Sequence, residues 1–184
     1  MDKVLEAIRD FADHAHGEQR RKYTPDQYIV HPVRVMELCS QYTDNTAVLA
    51  AALLHDVLED TRVTGDELKE FLLQKMDKDV ALETLGLVVE LTDVYIKKDF
   101  PRMNRRSRKE KESGRIVQAS PDAQTIKYAD IIDNSKEIAQ HDPDFAKVFL
   151  SECRSLLRKM DKGNAELHAR AVTAVDKGLE QLKH

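Results

Sequence analysis

His55 and Asp56, followed one turn later by Glu59 and Asp60, sit in the apolar stretch Ala52-Leu-Leu-His-Asp-Val-Leu-Glu-Asp-Thr61. At about 100° per residue an ideal helix sets these four within about 140° of arc, on one face. Three carboxylates and an imidazole with no Lys or Arg among them are costly beside apolar neighbours, because a buried carboxylate needs a cation, a donor or a metal. A divalent metal resolves that conflict. Adjacent helical residues point about 100° apart, so His55 and Asp56 share an ion only over the helix edge, and other elements must supply further ligands. Two candidates are His31, before Pro32, and Asp130, amid Ile126, Ala129, Ile131 and Ile132. Two imidazoles and two carboxylates suit manganese, iron or zinc with positions left for water. Each residue has a plainer reading: a lone His beside an apolar face is more often a hydrogen-bonded core residue, and an Asp in an apolar helix often caps or pairs. Their coexistence in one small chain favours a site.

The elements that must position these residues are helical almost from end to end. Val4, Leu5, Ile8, Phe11, Ala12 and Ala15 make one apolar stripe that should stop near Gly17. Glu18 to Val30 lacks apolar period and carries Arg20, Arg21 and Lys22, a basic loop leading to His31. A second helix is expected from about Pro32 through Cys39, and Asp44-Asn45-Thr46 caps a central helix from Ala47 to Leu58. Thr64 with Glu67 forms a capping box before a helix ending near Lys75, and another helix covers about Lys78 to Thr92. Lys97 to Lys111 is a basic segment whose plainer reading is a solvated charged face and whose sharper reading is a flap that grips phosphate. Ser120-Pro121 opens a helix through Ile138, His141-Asp142-Pro143-Asp144 is a turn before a helix to about Met160, and a last helix spans about 164 to 182.

The chain has 184 residues, which fits a single domain over 1–184 with a motif region from about 14 to 160. Charged residues are 34%, aromatics 5%, and Trp is absent, a balance that favours an all-α protein over a sheet. A net charge of -4 argues against binding a nucleic-acid polymer, while a local basic pocket for a small anion stays open. Cys39 and Cys153 fall within apolar helical patterns with no Cys-x-x-Cys spacing, so a disulfide framework is not expected. With no apolar run of membrane length and a charged N-terminus, the expectation is a cytoplasmic protein.

Four blocks in order carry a more specific signal: Ala15-His16-Gly17-Glu18-Gln19-Arg20-Arg21-Lys22, Tyr28-Ile29-Val30-His31-Pro32, Ala51 through Thr61, and Ile126-Lys127-Tyr128-Ala129-Asp130 with Asn134. Together they resemble the HD superfamily of metal-dependent phosphohydrolases, and within it the hydrolase domain of Rel/SpoT proteins and the stand-alone small alarmone hydrolases. The resemblance implies an HD-type bundle of about eight to ten helices. It implies that His31, His55, Asp56 and Asp130 hold one divalent ion, usually manganese, with iron, zinc or magnesium as alternatives. It implies that Glu59 and Asp60 position and deprotonate the attacking water. By the same likeness, Arg21 and Lys22 hold a guanine nucleotide and Asn134 contacts its sugar region.

The implied reaction removes pyrophosphate from the 3′ position of guanosine tetra- or pentaphosphate. The substrate is then a small phosphorylated nucleotide, with no membrane partner. The absence of a synthetase block points to degradation of alarmone rather than synthesis. Two departures qualify the likeness. Tyr23 to Val30 lacks the Gly-rich turn often found there, and the block around Asp130 is more acidic and apolar than usual. Another nucleotide or NADPH phosphatase of the superfamily is therefore the alternative enzyme. A catalytically silent nucleotide-binding regulatory domain is the alternative of another class. His14, His16, His141 and His168 fall outside the matched positions and are read as surface residues or residues one layer behind the ion.

Overall fold

The computed structural model describes residues 2–182, and among them every regular element is a helix. Ten helices run α1 (Lys3–His16), α2 (Val30–Cys39), α3 (Thr46–Leu54), α4 (Val57–Asp60), α5 (Gly65–Lys75), α6 (Lys78–Leu91), α7 (Arg105–Gln118), α8 (Pro121–His141), α9 (Pro143–Leu157) and α10 (Ala165–Gln181). The all-α expectation holds. The chain divides into two compact units, one through Thr92 and one from Asp93.

In the first unit α3 is the centre. Its sequence from Ala47 to Leu54 is apolar on every side, and all of these residues are buried. A helix without a polar face can persist only when it is enclosed. Enclosure comes from α1, α2 and α6, each packed against it. Asn45 caps it by accepting the Ala47 N–H at 2.9 Å, and its amide also donates to Glu83 of α6 at 3.0 Å. α1 ends where expected, on Gly17 at φ 56, a left-handed conformation that a side chain would penalise. The Thr64–Glu67 capping box is present in both directions.

The expected helix from Ala47 to Leu58 is interrupted. α3 stops at Leu54 and α4 restarts at Val57, with Asp56 at φ -98, ψ -7 as its first flanking residue. The Asp56 carbonyl accepts from both Glu59 and Asp60, closing a new short turn. The His55 ring meanwhile reaches back to the Ala52 carbonyl, Nδ1 to O 2.8 Å, a polar demand inside an apolar segment that the helical pattern does not register.

The second unit is built on α8, against which α9 and α10 pack, with α7 against α9. α8 buries Ile126, Tyr128, Ala129, Ile131 and Ile132 and also Asp130 and Asp133. The basic segment matches its plainer reading in large part. Lys109 pairs with Asp93 at 2.8 Å, Arg105 with Glu152 at 2.8 Å, and Lys111 lies over the Tyr95 ring. The buried Glu112 accepts the backbone N–H groups of Val94 and Tyr95. Among the described residues no helix is long and apolar enough to cross a membrane.

Gly163 fastens the approach to α10. A Cβ there would come within 2.6 Å of Tyr128 Cε2 and 2.8 Å of the Thr125 backbone nitrogen, in the turn whose Asn164 N–H donates to Thr125 Oγ1. Gly163→Ala should therefore destabilise the protein by about 1–3 kcal/mol through overpacking. Gly114→Ala, in open space on α7, should stabilise it by about 0.5–1 kcal/mol. Denaturant titration of both variants measures the opposite signs.

Candidate active site

The break between α3 and α4 turns His55 and Asp56 toward one point. His31 enters on the first turn of α2, which starts at Val30 and so takes in both His31 and Pro32. Ligand atoms of His31, His55 and Asp56 all lie within 4.8 Å of one another. Asp56 Oδ2 stands 3.1 Å from His55 Nε2 and 3.6 Å from His31 Nε2. Both imidazoles are nearly sealed, 1% and 4% exposed, while Asp56 at 20% keeps an opening to solvent.

A backbone carbonyl can only accept, so the His55 Nδ1 that faces Ala52 O carries the hydrogen and Nε2 presents its lone pair to the cluster. That is the arrangement by which a ligating histidine is oriented from behind. Two imidazole nitrogens and a carboxylate oxygen form a donor set suited to a borderline divalent ion. The carbonyl end of α3, with its partial negative charge, adds a local preference for a cation.

Glu59 and Asp60 follow on α4, both at the open side. Loss of water around the Asp60 carboxyl, and secondarily the charge of Asp56, raise its pKa above the ordinary carboxylate range, against the opposing effect of a Tyr28 hydrogen bond. Glu59 does not join the ligand cluster.

Tyr28 has no role in the sequence reading, although it stands one helical turn before His31. Its hydroxyl donates to Asp56 Oδ2 at 2.6 Å and reaches Asp60 Oδ2 at 3.1 Å. Burial first, then the charges of Asp56 and Asp60, push its phenol well above the ordinary tyrosine value, so it stays a donor. The Arg21 guanidinium lies 5.5 Å from the Tyr28 ring centroid, and Lys22 donates to Tyr23 at 2.8 Å. An isolated antiparallel bridge between Arg20 and Gln27 closes this loop where no Gly-rich turn is present. His16, expected at the surface or one layer back, is buried and stacked on Tyr28 with ring centroids 4.3 Å apart. His168 is engaged elsewhere, with Leu157 O at 2.9 Å and against Tyr128.

Asp130 and Asn134 belong to the second unit, one turn apart on α8. Lys127 pairs with Asp130 Oδ2 at 2.8 Å, and Asn134 donates to Asp130 Oδ1 at 2.6 Å. Lys127 is a further participant that the sequence reading left without a role. Its i,i+3 spacing from Asp130 was the available signal. The thiols take no part: burial pushes Cys39 and Cys153 up to about 12, far from a reactive thiolate.

Residues 9–156 match the family model of the HD domain. The chain is 35% identical over 146 residues to the mouse guanosine-3′,5′-bis(diphosphate) 3′-pyrophosphohydrolase MESH1, covering 77% of this chain and 72% of that one. To the human protein of the same name it is 34% identical over 147 residues, covering 77% and 73%. It also resembles the solved structure of a metazoan SpoT ortholog described as hydrolysing ppGpp, with a TM-score of 0.79 over 97% of this chain and 98% of that one. At 24% identity that likeness concerns the fold. A family match spanning most of the length, joined by relatives aligned over more than two thirds of their own chains, means that this chain belongs to the HD domain family.

Proposed function

We propose that this chain is a phosphohydrolase that removes the 3′-pyrophosphate of guanosine tetra- or pentaphosphate with one divalent ion, Mn²⁺ being our assignment. The observation that carries the reading is the convergence of His31, His55 and Asp56, with Asp60 tied to Asp56 through a shared phenol. The MESH1 relatives, named for that reaction, support the substrate class. Because the family match runs from residue 9 to 156, across both compact units, we take the whole chain as one HD-type domain.

In this reading His31, His55, Asp56 and Asp130 hold the ion. When bound, it polarises a phosphoryl oxygen and lowers the pKa of water toward neutrality. The remaining steps belong to side chains. Asp60 and Glu59, both at the open side, take the proton of the attacking water. Water oxygen adds to the phosphorus attached at the 3′ oxygen, that P–O bond breaks, and the 3′ oxygen leaves with a proton. Pyrophosphate and a nucleotide with a free 3′ hydroxyl result.

Arg21 and Lys22 face the polyanion as charge-assisted donors, and Arg21, already over an aromatic ring, can also stack on a base. Asn134, which holds Asp130, contacts the sugar side. Cys39 and Cys153, both free and buried, accord with our placing the protein in the cytoplasm.

Incubation with guanosine tetraphosphate, NADPH and a set of 5′-nucleotides, with Mn²⁺ and after chelation, should give metal-dependent pyrophosphate release from the first. Phosphate release from NADPH alone would instead favour the alternative that the closed Arg20–Gln27 loop leaves open. Absence of release from every compound would overturn the enzymatic reading. Glu59→Gln and Asp60→Asn should each lower kcat by about 10²–10⁴-fold while Mn²⁺ still binds, as steady-state kinetics with calorimetric metal titration will measure. His55→Ala and Asp130→Ala should lose both metal and turnover, and metal retained in either variant removes that residue from the ligand set.

A further inference from the structure

Groups of several proposed roles meet on Tyr28. Its hydroxyl touches the carboxylates of Asp56 and Asp60, its ring edge faces His31 at 6.1 Å between centroids, and Arg21 lies over its face. The ring is held by a strut built from Gln19. The Gln19 backbone carbonyl accepts the Tyr28 N–H at 3.0 Å, and its side-chain oxygen lies 3.0 Å from His16 Nδ1. An amide oxygen can only accept, so that nitrogen carries the hydrogen and the His16 ring is fixed in plane against Tyr28. His16 is buried, so the stacked pair has no room to drift.

Asp56, which flanks α4, and Asp60, its last residue, carry like charge at i,i+4 spacing, and their mutual repulsion leaves the two carboxylates no reason of their own to stay together. A single O–H between them supplies that reason, at 2.6 Å to the first and 3.1 Å to the second. We infer that Tyr28 is a positioning residue: its hydroxyl sets the metal-side carboxylate of Asp56 and the water-side carboxylate of Asp60 in fixed relation, with His16 clamping its ring. This rests on the metal-dependent reading proposed above. It assigns roles to two residues whose sequence positions announce none.

Tyr28→Phe keeps the ring, its stacking and its edge contact and removes only the hydroxyl. For protein stripped of metal by chelation, the Mn²⁺ dissociation constant, read by electron paramagnetic resonance of free Mn²⁺, should rise about 10- to 100-fold, with the metal-free melting midpoint unchanged. At saturating Mn²⁺, kcat on guanosine tetraphosphate should fall while KM holds. His16→Ala should shift the metal affinity in the same direction, and His16→Phe, which restores a stacked face, should recover it. A Mn²⁺ affinity within about twofold of native in Tyr28→Phe overturns the inference. So does a native kcat at saturating metal, or a melting midpoint that falls in step with the affinity. His16→Phe that fails to recover the affinity removes His16 from the clamp. The metal titration needs no substrate, so failure of the nucleotide assignment and failure of this inference give separate results.

Discussion

A charged carboxylate at the end of a wholly apolar helix is the constraint on which the site depends. α3 can exist only enclosed, and its last residues deliver His55 and Asp56 from the driest part of the first unit. A carboxylate in that place is tolerated when donors and cations meet it. Asp56 accepts from the Tyr28 hydroxyl, while its carboxylate and the Nε2 atoms of two imidazoles together form a donor set for a cation, which the carbonyl end of α3 also favours. The break at His55–Asp56 satisfies these demands together. A continuous helix would point the two side chains about 100° apart, and the interruption lets His55 Nε2 and Asp56 Oδ2 approach to 3.1 Å.

The same constraint grades the acidic residues into different environments. Asp56 lies between the Tyr28 hydroxyl and two imidazoles, Asp60 shares its phenol from the outer side with a raised pKa, and Glu59 stays at the open edge. Carboxylates placed within five positions thereby meet different surroundings. The buried thiols, Cys39 in the first unit and Cys153 in the second, are each kept from chemistry by their own burial.

The second unit shows a comparable economy. α8 is buried along most of its length, yet it places Lys127, Asp130 and Asn134 on one stripe where each answers another's charge or hydrogen-bonding need. The basic stretch before it is occupied with its own unit. Glu112 receives two backbone N–H groups, and Arg105 and Lys109 have acidic partners.

Much of this was legible in the sequence by itself. Apolar period, caps at Asn45, Thr64 and Ser120, and the stop at Gly17 act over a few neighbouring residues, so helix spans and the all-α class follow from local pattern. Residue chemistry alone also nominated His31, His55 and Asp56 as companions. The sequence could not reveal that the helix would break between His55 and Asp56, that Tyr28 would join two carboxylates, or that His16 would be buried against it. Each depends on side chains 12 to 32 positions apart in the chain meeting in space, or on a ring reaching a carbonyl in place of water. Only tertiary packing, which sets those distances and removes the solvent, decides them.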